Sequence, residues 1–210
     1  MKNSDNIIEA YDIYTTKNNT YIITELCDGD LSKLISKNKC LSEAEAIPFM
    51  NQIINGYINF YNHGIIHRDL KPANIFLKNN EIKIADFGFA MKHTDGKKYS
   101  AYNVGSPVYM APEALKENKY SFKSDIWALG VIYYEMLTGK TPWRAKTEKE
   151  LAKQITSIPI KKLLPPSISP SSETFLLKTL NLDIKERMQP EDIQKYRLNT
   201  EKGIAIKISK

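Results

Sequence analysis

The stretch "GIIHRDLKPANIFL" (residues 64–77) sets Asp69, Lys71 and Asn74 at two- and three-residue spacing between apolar runs. A polar loop so placed holds a carboxylate beside a reacting hydroxyl, where a positioned proton acceptor contributes roughly 10²–10⁴-fold in rate. A second carboxylate follows, Asp86 in "IADFGFA". Asp with Asn is the hard-oxygen pair that Mg²⁺ favours, since this ion takes one or two protein carboxylates plus phosphate oxygens. Asn74 and Asp86 therefore suit a metal–phosphate site, leaving Asp69 to orient the proton of a nucleophile. Taken singly, Asp69 and Asn74 read as turn residues that cap their own backbone.

The elements that would position these residues follow from pattern. "NNTYIITEL" joins Asn-rich turn chemistry to a β-branched and aromatic run, with "IIEAYDIYTT" as its antiparallel partner across a turn at Lys17–Asn19. "LSEAEAIPFMNQIINGYINFYNHG" opens on a capping box, Ser42 with Glu45, and runs as a helix to Gly64. Pro48 lies inside it, where a missing N–H predicts a kink. "NIFL" and "IKIA" flank "KNNE" and read as a hairpin. Residues 86–113 form an aperiodic Gly- and Pro-containing loop, a length that marks function or disorder in a compact domain. "SDIWALGVIYYEMLTG" is apolar on nearly every side and predicts a buried helix with Ser124 as N-cap. Short helices follow to about residue 198, and "EKGIAIKISK" reads as a terminal strand or tail.

The bulk numbers exclude several classes. The chain has 210 residues, 42% hydrophobic and 26% charged, enough for one ordinary domain or two small lobes with a real core. No apolar run approaches the roughly 18 residues of a membrane span, and the N-terminus carries no apolar signal segment. Cys27 and Cys40 are too few for a disulfide framework, which predicts a reducing, cytoplasmic (intracellular) setting. The net charge of +6 comes from scattered lysines, with arginine only at Arg68, Arg144, Arg187 and Arg197. A nucleic-acid module concentrates its basic residues and interleaves aromatics, so no nucleic-acid partner is expected.

"HRDLKPAN", "DFG" and "APE" in this order resemble the signature set of the protein kinase family across most of the chain. The resemblance implies a mainly α fold with small β (α+β), in which residues 28–198 are the C-terminal lobe. Residues 1–27 would be a remnant of the N-lobe (two strands and the hinge) and 199–210 a tail. It implies ATP-dependent phosphoryl transfer to protein Ser or Thr, with ATP and Mg²⁺ as cofactors and protein substrates as partners. Asp69 would be the catalytic acid that takes or orients the hydroxyl proton, and Lys71, the serine/threonine-type residue, would neutralise the moving phosphoryl group. Asn74 and Asp86 would hold Mg²⁺. His67 and Phe87 would stack as packing residues, Glu113 would pair with Arg187, and Asp125 would hold the catalytic loop.

"TELCDGDL" resembles the hinge where adenine docks. The backbone of Glu25 and Cys27 would bond the ring, Thr24 would guard the inner pocket, Asp30 would reach the ribose, and Phe76 with Ile75 and Leu77 would pack beneath adenine. Residues 86–113 would be the activation segment. Ser106 would sit at the peptide-binding position, and Arg68 would pair with a phosphate placed on Thr94, Ser100 or Tyr102. "IADFGFA" with "GSPVYMAPE" is closest to Unc-51-like kinases, which initiate autophagy.

The family pattern is incomplete. The first glycine is Gly29, so no G-x-G-x-x-G precedes the hinge, and no V-A-I-K-like strand lysine appears. The chain thus reads as an N-terminally truncated kinase, or alternatively as a non-catalytic kinase-like module that binds or scaffolds partners.

Overall fold

The computed structural model describes residues 5–93 and 104–199. The fold is mainly α with small β pieces. An antiparallel hairpin, β1 (Ala10–Thr15) and β2 (Thr20–Thr24), opens the chain. β3 (Gly29–Asp30) leads into α1 (Leu31–Asn38) and the long α2 (Glu43–Asn62). β4 (Ile65–Ile66), β5 (Ile75–Lys78), β6 (Glu81–Ile84) and β7 (Met91–Lys92) frame the stretch that holds Asp69, Lys71 and Asn74. Five helices complete the body: α3 (Pro112–Glu117), α4 (Phe122–Thr138), α5 (Glu148–Ser157), α6 (Pro170–Thr179) and α7 (Pro190–Lys195).

Local chemistry accounts for most boundaries. Ser42 and Glu45 form the expected capping box, and the charged Glu43 and Glu45 in the first turn suit the positive end of the α2 dipole. Pro48 lies inside α2, which continues through it to Asn62. The β5–β6 turn is Asn79–Asn80, both with φ near +60°, the left-handed pair that a tight two-residue hairpin requires and that Asn tolerates. α4 starts three residues earlier than its sequence predicts. Ser121 is the N-cap, and Ser124 is its capping-box partner one turn inside.

The core is built around α2 and α4, which contact each other; α4 is buried along most of its length and α2 along one face. Gly130 of α4 lets α6 approach closely, since a Cβ there would lie 2.4 Å from the Thr179 hydroxyl oxygen. β5 and β6 join this core through Ile75, Ile82 and Ile84. Their small sheet runs β3-β5-β6, and Ile7 of the preceding segment bridges in parallel to Ile84. The β1–β2 hairpin differs: all of its strand residues are exposed.

Candidate active site

The HRDLKPAN stretch is a loop between β4 and β5, and a buried carboxylate holds its shape. Asp125 of α4 accepts the backbone N–H groups of His67 at 2.8 Å and Arg68 at 3.0 Å. Burial pushes the Asp125 carboxyl up to about 7, against the two amides and Arg68, which favour its charged form. Arg68 sits at φ 70°, a left-handed conformation unusual for a long side chain and common at functional sites. Gly105 crosses directly over it. At φ +105°, a Cβ on Gly105 would come within 2.6 Å of the Arg68 carbonyl oxygen, so only glycine fits there.

That geometry delivers the predicted polar residues to one point. Asp69 is buried, and its Oδ2 accepts Lys71 Nζ at 2.7 Å and Asn74 Nδ2 at 3.1 Å. Its Oδ1 accepts the Ser106 hydroxyl at 3.2 Å, and Lys71 Nζ also donates to Ser106 Oγ at 3.0 Å. Asn74 Nδ2 additionally bonds the Asp69 carbonyl at 2.9 Å, which turns the amide so that Asn74 Oδ1 takes no bond among the described residues. Asp69, Lys71, Asn74 and Ser106 thus form one closed network, although Ser106 is 37 residues away from Asp69 in sequence.

Asp86 reaches the same end of the site through β5 and β6. The Ala85 N–H bonds the Asn74 carbonyl at 2.9 Å, tying the two metal candidates' strands together. Asp86 stands at φ 60°, and among the described residues its exposed carboxylate accepts only a long 3.4 Å bond from Gly88 N–H. Behind it, the rings of His67 and Phe87 lie 4.7 Å apart, and Phe60 of α2 completes the stack at 5.8 and 6.0 Å. The Asp69 N–H donates to His67 Nδ1, so Nε2 carries the proton that goes to the Ala85 carbonyl at 3.1 Å. Burial lowers the His67 pKa, and the ring packs as a neutral spacer.

At the hinge stretch the Cys27 N–H has no acceptor among the described residues, and the Glu25 carbonyl accepts only a long 3.3 Å bond from the Thr24 hydroxyl. Asp30 caps α1, accepting Lys33 N–H at 2.8 Å, and pairs with the Lys33 ammonium at 3.1 Å. Phe76 is half-buried on β5 opposite Asp30, between buried Ile75 and half-buried Leu77. The Glu25 side chain is engaged elsewhere: it is buried and ion-paired with Lys78, 2.8 Å away.

Glu113 and Arg187 make a two-bond ion pair at 2.6 and 3.0 Å, closed off from solvent. Arg187 also donates to the Asn181 and Lys123 carbonyls and lies over the Trp127 ring, 5.0 Å from its centroid. Arg68 points toward the loop at 86–113: its Nε donates to the Phe89 carbonyl at 2.6 Å, and Nη1 is buried without a partner among the described residues. Thr94, Ser100 and Tyr102 lie outside the described residues. Sequence reasoning missed three participants. Tyr120 lies beneath the Arg68 guanidinium at 5.3 Å, and its hydroxyl bonds both the N–H and the carbonyl of Val104. Phe60 belongs to the ring stack, and Lys78 binds Glu25. Only Phe60 had a local signal, its place on the apolar stripe of α2.

The family profile described as "Protein kinase domain" matches residues 1–198. The serine/threonine-protein kinase atg1 of Dictyostelium discoideum is 37% identical over 200 residues, covering 91% of this chain and 30% of that protein. Homo sapiens serine/threonine-protein kinase ULK1 is 36% identical, covering 88% of this chain and 19% of its own length. Caenorhabditis elegans serine/threonine-protein kinase unc-51 is 35% identical, at 90% and 23%. The chain therefore spans less than a third of the length of these relatives. The match along nearly all of this sequence, together with the network around Asp69, shows that the chain belongs to the protein kinase domain family.

Proposed function

We propose that residues 28–198 form the catalytic lobe of an ATP-dependent, Mg²⁺-dependent serine/threonine protein kinase, with residues 1–27 as the hinge and two strands of the other lobe. The observation that carries this reading is the Asp69 carboxylate, buried and held from both sides by Lys71, Asn74 and Ser106. The acceptor hydroxyl of a protein substrate would approach Asp69 Oδ1 beside Ser106, which would help to orient it. Asp69 then orients and accepts its proton, while Lys71, 2.7 Å from the carboxylate, supplies positive charge beside the transferring group.

The donor set fits Mg²⁺. Asn74 Oδ1 and the lightly engaged Asp86 carboxylate are hard oxygens, and Mg²⁺ bound there would neutralise charge on the phosphates. The open Cys27 N–H and Glu25 carbonyl fit an adenine edge, with Phe76 beneath it. Asp30 is engaged as a helix cap, so its proposed contact with ribose needs its ion pair with Lys33 to yield. Arg68 would order the activation segment by pairing with a phosphate, for which Thr94, Ser100 and Tyr102 stay as candidates. Among the described residues no helix is long and apolar enough to cross a membrane. The reading takes an intracellular setting, where ATP is available and Cys27 and Cys40 remain free thiols.

Titration of the purified chain with ADP, with and without Mg²⁺, tests the site itself. The kinase reading expects Mg²⁺ to strengthen ADP binding and Asp86→Asn to abolish that gain, by about tenfold or more. ADP binding that ignores both Mg²⁺ and Asp86→Asn would overturn the metal role.

A further inference from the structure

The hinge stretch is fastened at both ends in different ways. At its far end, Asp28 N–H donates to the Leu77 carbonyl at 2.8 Å and the Asp28 carboxylate accepts Asn79 N–H at 2.8 Å. At its near end a buried charge does the work. The Glu25 carboxylate accepts Glu9 N–H at 3.0 Å and Lys78 Nζ at 2.8 Å, with Lys83 Nζ at 4.0 Å. Glu25 N–H returns a bond to the Glu9 carbonyl at 3.0 Å. One side chain thus joins the segment before β1, the end of β2, and strands β5 and β6. Between the two anchors lie Leu26, 89% exposed, and Cys27 with its open N–H.

A buried carboxylate is costly unless it is paired and hydrogen-bonded, and a well-packed apolar residue would stabilise as much. What the ion pair adds is one defined arrangement. The hairpin has no packed face to set its angle to the body, since every strand residue is exposed. We propose that Glu25 is a positioning residue whose carboxylate, clamped by Lys78 and Glu9 N–H, fixes the hinge so that the Glu25 carbonyl and Cys27 N–H are presented together. The presentation to adenine rests on the kinase reading; the clamp itself does not.

Burial opposes ionisation of Glu25, yet Lys78, the Glu9 amide and Lys83 outweigh it and hold its pKa below the ordinary carboxylate value. A lowered pKa means that the clamp is complete above the usual carboxylate range and is lost only as pH falls beneath it. It is therefore intact at neutral pH, where the test belongs.

Hydrogen exchange on the whole chain, for wild type, Glu25→Gln and Lys78→Met, separates a clamp from general stability. The expected result is exchange about tenfold faster in peptides covering residues 5–28 of both variants, with α2 and α4 peptides unchanged. Unchanged exchange at 5–28, or acceleration spreading through α2 and α4, would overturn the proposal. If Glu25→Gln does not fold, Lys78→Met removes the same ion pair from a partly exposed position and decides alone. Mg²⁺–ADP titration of the same proteins reads the consequence: affinity falls in the variants if the clamp presents the edge. Equal affinity in all three would overturn the positioning role. A wild-type chain that binds no ADP would sink the kinase reading instead, and the exchange data would still judge the clamp.

Discussion

Tyr21, Ile22 and Ile23 of β2 are 51%, 60% and 46% exposed, whereas Val131, Ile132 and Tyr133 of α4 are fully buried. The residue types are nearly the same, so type alone does not decide their fate. In α4 the apolar surface meets α2 and α6, and the Tyr133 hydroxyl finds Ser172 at 2.5 Å. In the hairpin, Ile13 pairs with Ile22 and Tyr14 with Tyr21 across the two strands, with nothing packed over either face. Two strands alone are marginal in water, so the hairpin depends on its ladder and its anchor at Glu25. The side of the molecule that carries Asp69 is built on the first kind of surface. Asp125 sits on the buried α4 and from there accepts the His67 and Arg68 amides that lead into Asp69.

The contrast can be broken most strongly on the packed side. Glu113→Ala leaves Arg187 buried without its carboxylate and should cost about 3–5 kcal/mol in chemical denaturation. A double-mutant cycle with Arg187→Ala should be strongly non-additive, and additive losses would dissolve the pair. Asp125→Asn comes next. It keeps one acceptor for the catalytic-loop amides and sets an NH₂ against the other, which should cost about 1–3 kcal/mol.

Asp125 also gives that variant a pH signature. Its folded pKa is raised to about 7, so the folded state binds more protons than the unfolded chain across the interval up to that value. The contribution of Asp125 to stability is present in acid and declines as pH rises toward about 7. Unfolding free energies measured across that range should lose this slope in Asp125→Asn. A slope that persists unchanged would assign it to other groups. The smallest effect belongs to the hairpin: Ile22→Thr should shift stability by no more than about 0.5 kcal/mol, as for exposed positions generally. A loss of several times that amount, read by thermal denaturation, would mean that the hairpin is packed in solution.

The same contrast separates what the sequence made legible from what it did not. Asp69, Lys71 and Asn74 are close in sequence, and their spacing alone pointed to one polar loop. The Ser42–Glu45 box and the Asn79–Asn80 turn are local chemistry and were equally readable. Glu25 with Lys78 is not, because the two lie 53 residues apart and neither carries a local signal of burial. Tyr120 beneath Arg68 is hidden for the same reason. The start of α4 was misplaced because Ser121 and Ser124 are both competent caps, and only the backbone chooses between them.

The claim that this lobe carries out phosphoryl transfer is tested most directly by transfer of phosphate from ATP to a generic basic protein, catalysed by the purified chain, beside Asp69→Asn. The account predicts serine or threonine phosphorylation that falls by about 10²-fold or more in the variant, since Asp69 acts on the acceptor proton. Equal transfer by both proteins, or no transfer from a chain that binds Mg²⁺–ADP, would contradict it and leave the binding-module reading in place.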